Sequence, residues 1–312
     1  MSAKRCGEVA LLGRPNAGKS TLLNALVGEK VAIVADKPQT TRNRIVGVLT
    51  EERGQAVLLD LPGVHRPLHK MNARMMQEVR AALDEVDMVL HLLDASTDWG
   101  QGEQYLFQML ESVEVAVIGV LTKVDLVRPK SLLLPLIALY AERRPGSVVM
   151  PVSALTGDGL GELLSEVFAA LPQGEPIYPP GTTTTQTERF FVAEVVREKL
   201  LHLVADELPY ISGVAVESFE ELTDRLQIEA VIYVERSGQK AIVIGKGGRT
   251  IKAFGTQARQ ELEALLGVHI YLGLRVKVKP RWREDPHLLQ TMEPGTAWPE
   301  ADDFGLPPEE ER

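Results

Sequence analysis

Cysteine is almost missing from this 312-residue chain. Cys6 stands alone, so no internal disulfide can form, and it lies too near the N-terminus to suggest a metal site. Such poverty fits a reducing compartment. Long apolar runs are missing too: stretches such as VAVIGVLT fall well short of the ~20 residues a bilayer span needs. The opening MSAKRCGEVALLG has no apolar core followed by a cleavage site, so no secretory leader is expected. These absences predict a soluble, cytoplasmic protein without a transmembrane segment. Positive charge is also in deficit, with 34 Lys and Arg against 43 Asp and Glu, a net of −9. That deficit is unevenly spread. Residues 236–283 carry 11 basic and only 2 acidic side chains, whereas 284–312 carry 1 basic and 9 acidic. An acidic whole therefore hides a basic block, and nucleic acid is not excluded as a partner.

What is present first is alternation. The runs EVALLG, RIVGVLT, AVLLD, DMVLHLLD, VAVIGVLT and SVVMPVS are short and nearly continuously apolar, as strands buried on both faces are. Segments with helical spacing separate most of them, including 70–85 and 101–111. Leu160, Leu163, Leu164, Val167 and Phe168 add another helical stripe. The pattern predicts an α/β domain over 1–171 with a mostly parallel sheet. RIVGVLT and AVLLD are close enough to form an antiparallel hairpin.

Four short motifs each close a strand, where an open α/β sheet collects its ligands. The first, GRPNAGKST, runs from Gly13 through Arg14, Pro15, Asn16, Ala17, Gly18, Lys19 and Ser20 to Thr21. Its glycines let backbone N–H groups turn inward on phosphates at a helix N-terminus. Lys19 would reach the β- and γ-phosphates, and Ser20 would ligate Mg²⁺. The second motif is Asp60, Leu61, Pro62 and Gly63, followed by Val64. Asp60 suits Mg²⁺ held through a water, and the Gly63 N–H suits a γ-phosphate. Thr122, Lys123 and Asp125 belong to the third; a carboxylate at Asp125 can accept from guanine N1–H and the 2-amino group, a donor pair adenine lacks. Ser153 and Ala154 supply the fourth, with the Ala154 N–H suited to guanine O6. Between the first motif and the second strand lies KPQTTRNR, a polar loop with the character of a switch. Thr41 is the candidate Mg²⁺ ligand there, with Thr40 its alternative. A metabolic kinase would also bind phosphates with such a loop, but no acceptor lid is legible and Asp125 argues against it.

These residues resemble the P-loop GTPases, with GxxxxGKS, DxxG, [NT]KxD and SAL. The resemblance implies binding of GTP and GDP with Mg²⁺, and hydrolysis of GTP to GDP and phosphate, with Lys19, Thr41, Gly63 and Asn16 nearest the reaction. Two features bear on rate. Val64 stands where Ras-like GTPases place a water-orienting glutamine, so hydrolysis is expected to be slow. Asn16 stands where similar GTPases bind K⁺, implying stimulation by that ion; its plainer reading is support of the loop turn.

Residues 172–187, LPQGEPIYPPGTTTTQ, read as a Pro/Thr-rich linker unable to form a regular helix. Beyond it, 188–283 read as helix, two strands, two helices and a last strand. Ile244, Gly245, Lys246, Gly247, Gly248, Arg249 and Lys252 sit where the two helices meet. The order, with GKGG between consecutive helices, resembles an α+β KH domain of type II, implying RNA held along that loop. A GTPase followed by such a domain, together with KPQTTRNRIVGV, DLPGVHRP and VKVKPRW, resembles the Era family of bacterial GTPases over about 5–283. That resemblance implies 16S rRNA and the small (30S) ribosomal subunit as partners, a role in subunit assembly, and peripheral membrane contact. Nothing demands more than a monomer. A passive RNA-binding module with a structural nucleotide is the competing expectation. Residues 284–312 are expected to form a flexible acidic tail.

Overall fold

The computed structural model describes residues 4–37, 40–64, 70–203 and 211–295, with 70–74 described in backbone alone. Residues 65–69 beyond the second motif and 296–312 of the expected tail lie outside the described residues. The first half contains β1 (Arg5–Gly13), α1 (Lys19–Val27), β2 (Ile45–Glu51), β3 (Gly54–Asp60), α2 (Lys70–Glu85), β4 (Met88–Asp94) and α3 (Gln101–Leu110). It continues with β5 (Ala116–Thr122), α4 (Leu133–Arg143), β6 (Val149–Pro151) and α5 (Leu160–Ala170). The strands form one sheet in the order β2-β3-β1-β4-β5-β6, antiparallel only between β2 and β3.

Strand periodicity explains both cores. Successive side chains point to opposite faces. Val9 and Leu11 pack with Leu22, Leu23, Val167 and Phe168 on one face, while Ala10 and Leu12 pack with Val79, Leu106 and Leu110 on the other. All seven residues of β3 are buried. Helix α4 was not legible as an amphipathic stripe: only Leu133 and Tyr140 are buried, and Leu134 stays exposed.

The second half contains α6 (Glu188–Leu203), β7 (Gly213–Glu221), β8 (Leu226–Val234), α7 (Ser237–Ile244), α8 (Arg249–Leu266) and β9 (Ile270–Val278). Its sheet runs β7-β8-β9, the first pair antiparallel and the second parallel. Helix α6 has no polar face to speak of, and its surroundings say why. Phe190 joins the core of the first half, while Val192, Ala193, Val195 and Val196 join that of the second.

The connecting segment is strapped to the first half. The Cys6 N–H donates to Pro172 O, the Val48 N–H to Thr183 O, and Gln55 Oε1 accepts from the N–H groups of Ile177 and Tyr178. The expected flexible tail needs correction over 284–295. Asp285 caps a short helix α9 (Pro286–Gln290) by accepting from the Leu288 N–H, and Leu288 is buried. Asn43 Nδ2 then donates to Met292 O, fastening this segment to the switch loop. Apolar Leu288 and the capping Asp285 outweigh the acidic composition that suggested disorder. Among the described residues, no helix is long and apolar enough to cross a membrane.

Candidate functional site

Sheet register brings the motifs to one edge. Leu11 pairs with Asp60, Gly13 with Leu92, and Asp94 with Thr122, so β1, β3, β4 and β5 all end together. A cleft over that edge is lined by Pro15, Asn16, Gly18, Lys19, Ser20 and Thr21 from the loop, Val34 to Asp36 and Thr40–Thr41 from the switch, and Gly63 and Lys123. Gly18 turns the chain into α1 at φ +88°, a conformation that favours glycine. Gly63 passes so close to Pro15 that a Cβ would meet its backbone at 2.8 Å.

Lys19 is buried, and its Nζ donates to the carbonyls of Gly13 (3.2 Å) and Arg14 (3.0 Å). Burial lowers its pKa, against the attraction of Asp60 and Glu103. Asp60 is fully buried, which raises its pKa against the pull of Lys19 and two hydroxyls. Those hydroxyls are Ser20 Oγ, donating to Asp60 Oδ2 at 2.5 Å, and Thr41 Oγ1 at 3.1 Å; the two lie 2.9 Å apart. Thr40 points elsewhere, its hydroxyl donating to Ala35 O and Lys37 O.

Asp60 Oδ1 is buried without a hydrogen-bond partner among the described residues. An orphaned carboxylate oxygen beside two hydroxyl oxygens fits a hard, oxygen-seeking divalent cation such as Mg²⁺. No cluster of three or more His, Cys, Asp or Glu able to hold a metal occurs among the described residues. Such an ion would therefore draw its remaining ligands from water and phosphate.

The third and fourth motifs are separately braced. Ser153 Oγ donates to Asp125 Oδ1 at 2.7 Å and accepts from the Thr156 N–H, fixing the carboxylate. Thr122 Oγ1 reaches Ala17 O at 2.8 Å, tying the phosphate loop to the base motif. Lys123 pairs with Asp94 at 2.6 Å. Burial pushes the Asp94 carboxyl up, but hydrogen bonds from Lys123 and Ser96 prevail and hold it below its ordinary range.

The side chains of several expected residues do not line the cleft. Those of Ala17 and Leu61 are core, and that of Arg14 reaches α3 to pair with Glu103 at 3.3 Å. Val64 is packed with Leu59, Val79 and Leu106, and its N–H is spent on Gly13 O. It offers a water neither side chain nor amide.

The second glycine-rich loop is open. Gly245 (φ +73°, ψ 172°) ends α7, and Gly248 (φ +77°) opens α8. Lys246, Arg249 and Lys252 are exposed, with Ile244 partly buried beside them.

Comparison with known proteins agrees with both halves. Residues 8–123 match the family described as 50S ribosome-binding GTPase, and 207–283 match the KH domain. GTPase Era of Heliobacterium modesticaldum is 46% identical over 292 residues, covering 93% of this chain and 97% of that protein. This chain belongs to the Era family of GTPases. Two solved Era structures superpose across both halves. One, in complex with MgGDPNP and nucleotides 1506–1542 of 16S ribosomal RNA, gives a TM-score of 0.89 at 36% identity, covering 93% of this chain and 98% of that one. The other, a substituted Aquifex aeolicus Era bound to GDP and AlF4⁻, gives 0.88 at 37%, covering 92% and 98%. Era membership settles the fold as a P-loop GTPase with a mostly parallel sheet followed by a KH domain.

Sequence reading missed Arg197 and Glu198 on α6, both 3% exposed and both touching the switch loop. A signal existed: VVREKLL interrupts an apolar helix with charges where no solvent face is available.

Proposed function

We propose that this chain is a GTP-hydrolysing switch that takes 16S rRNA through its KH half and assists assembly of the small ribosomal subunit. The observation that carries this reading is the likeness, across both halves, to an Era structure holding MgGDPNP and 16S rRNA nucleotides together.

The chain's own residues support a mechanism. Loop N–H groups between Gly13 and Thr21 cradle phosphate, and Lys19, already paired with carbonyls, exchanges them for phosphate oxygens. Ser20, Thr41 and Asp60, which lie together, would hold Mg²⁺, the carboxylate of Asp60 through a water. When bound, the ion neutralises charge developing on the phosphates. The Gly63 N–H would meet the γ-phosphate, and Asp125, braced by Ser153, would select guanine together with the Ala154 N–H. Val64 is buried, so hydrolysis is slow unless another group positions the water. Asn16 donates through Nδ2 to Asp36 O, leaving its amide oxygen for a cation. K⁺ there would supply charge stabilisation; equal hydrolysis rates in K⁺ and Na⁺ buffers remove that part.

On the RNA side, the exposed cations Lys246, Arg249 and Lys252 flank glycines that let a backbone approach. The decisive experiment titrates an RNA corresponding to the 3′ end of 16S rRNA with protein that is empty, GDP-loaded or GDPNP-loaded. The switch predicts tightest binding with GDPNP. Identical affinity in all three states returns the protein to a passive RNA-binding module. Peripheral membrane contact is tested by co-sedimentation with vesicles.

A further inference from the structure

Two consecutive residues of α6 hold the segment that runs from the end of α1 into the switch loop. Glu198 Oε1 accepts from the Val34 N–H at 2.8 Å, while Glu198 Oε2 accepts from Lys30 Nζ at 2.7 Å. Six residues further along the loop, Arg197 Nη2 donates to the Thr40 carbonyl. The guanidinium is itself fixed, because Glu194 accepts from its Nε at 2.6 Å and from its Nη2 at 2.5 Å. Such a backed, planar fork loses little freedom on binding. Its Nη1 is buried and has no hydrogen-bond partner among the described residues.

The Thr40 carbonyl is not a remote handle. It belongs to the same planar peptide unit as the nitrogen and Cα of Thr41. Pinning that oxygen fixes the plane from which the Thr41 side chain departs. Thr41 is β-branched and restricted at χ1, so a fixed plane narrows where its hydroxyl can lie. That hydroxyl is the one resting against Ser20 and Asp60. Helix α6 cannot easily yield, being packed into both cores.

We propose that Arg197 is a positioning residue for GTP hydrolysis, holding Thr41 at the cation cradle from the KH half through the Thr40 carbonyl. The inference rests on Thr41 being a Mg²⁺ ligand in the triphosphate state. Movement of α6 would then alter the cradle, and filling of the cradle would resist movement of α6.

Full-length wild type, Thr41→Ala and Arg197→Ala are compared for the Mg²⁺ concentration that half-maximally retains fluorescent GDPNP, with fluorescent GDP as control. Thr41→Ala and Arg197→Ala are both expected to raise the GDPNP midpoint about tenfold, the scale of one hydrogen bond to a charged group. The GDP midpoint should stay within about twofold, and kcat should fall more than KM changes. If Thr41→Ala shifts the midpoint and a folded Arg197→Ala does not, the inference is overturned. If Thr41→Ala shifts nothing, the ligand reading beneath it fails instead. Should Arg197→Ala not fold, hydrogen exchange on the wild type decides. Adding Mg²⁺ to the GDPNP complex should protect 34–43 and 188–203 together, and protection confined to 34–43 overturns the inference.

Discussion

The loops at 13–20 and 245–248 are both glycine-rich and cationic, yet they are built in opposite ways. In the first, Lys19 is buried and already bonded, and a Cβ on Gly13 would strike Leu92 O at 2.7 Å. In the second, Lys246 is exposed, and a Cβ on Gly247 or Gly248 would meet nothing within 4 Å. A site for one small anion concentrates its donors in a desolvated pocket, where each is worth more. A site for a polymer backbone spreads weak contacts over an open surface and needs clearance more than enclosure. Binding energy should therefore be concentrated at the first loop and dispersed at the second.

The largest test of that contrast is Lys19→Ala. Triphosphate affinity and hydrolysis should fall roughly 10²–10³-fold, read by fluorescent GTP titration and phosphate release. A loss under tenfold would mean the pocket disperses its energy after all.

Burial in the first half also predicts acid sensitivity. His91 is fully buried beneath the motif edge, against Tyr140 and Phe107, and desolvation pushes it down to about 3. Its folded value lies below the ordinary one, so on acidification the unfolded chain takes up a proton that the folded chain refuses. Stability is thus lost as pH falls below about 6.5, by roughly 3 kcal/mol at pH 4.5. Urea unfolding at pH 7 and 4.5 measures it, and His91→Leu should flatten the dependence.

At the open loop, position should matter more than charge. Gly245 combines φ +73° with ψ 172°, and a Cβ there would lie 2.1 Å from Thr250 Oγ1 and 2.9 Å from its backbone N. Gly245→Ala should cost about 1–3 kcal/mol of stability and weaken RNA binding, as Tm and filter binding would show. Gly247→Ala, at φ +61° with open space, should cost only about 1 kcal/mol. Equal costs would remove clearance as the distinguishing feature.

The smallest effect belongs to Lys246→Ala. It should lower RNA affinity a few-fold, reduce the salt dependence by about one counterion and leave Tm unchanged. A collapse of RNA binding at this one substitution would make the second loop resemble the first.

The strands, the hairpin of β2 and β3, and the four motif positions were legible because each is written in consecutive residues. Short apolar runs ending in GRPNAGKS or DLPG can be read one stretch at a time. Helix α4 was not legible, because only Leu133 and Tyr140 are buried while Leu134 stays exposed and blurs its stripe. The segment 284–295 misled through composition: nine acidic residues from 284 onward suggested solvent, while Leu288 buries itself against the body. At the site, spacing named Ser20, Asp60 and Asp125, but the fate of Arg14 depended on Glu103 of α3 and that of Val64 on α2 and α3 packing against it.

By itself, then, the sequence determined the two glycine-rich loops, the Asp125 motif and the basic block around GKGG, because each is local chemistry carried by neighbouring residues. Only the tertiary structure decided that the Thr41 hydroxyl, and not that of Thr40, faces Ser20 and Asp60. It alone joined Arg197 to Thr40 across 157 positions and Met292 to Asn43 across 249. Contacts over such separations arise when two cores are packed onto one helix, and no periodicity along the chain encodes which polar groups that packing will bring face to face.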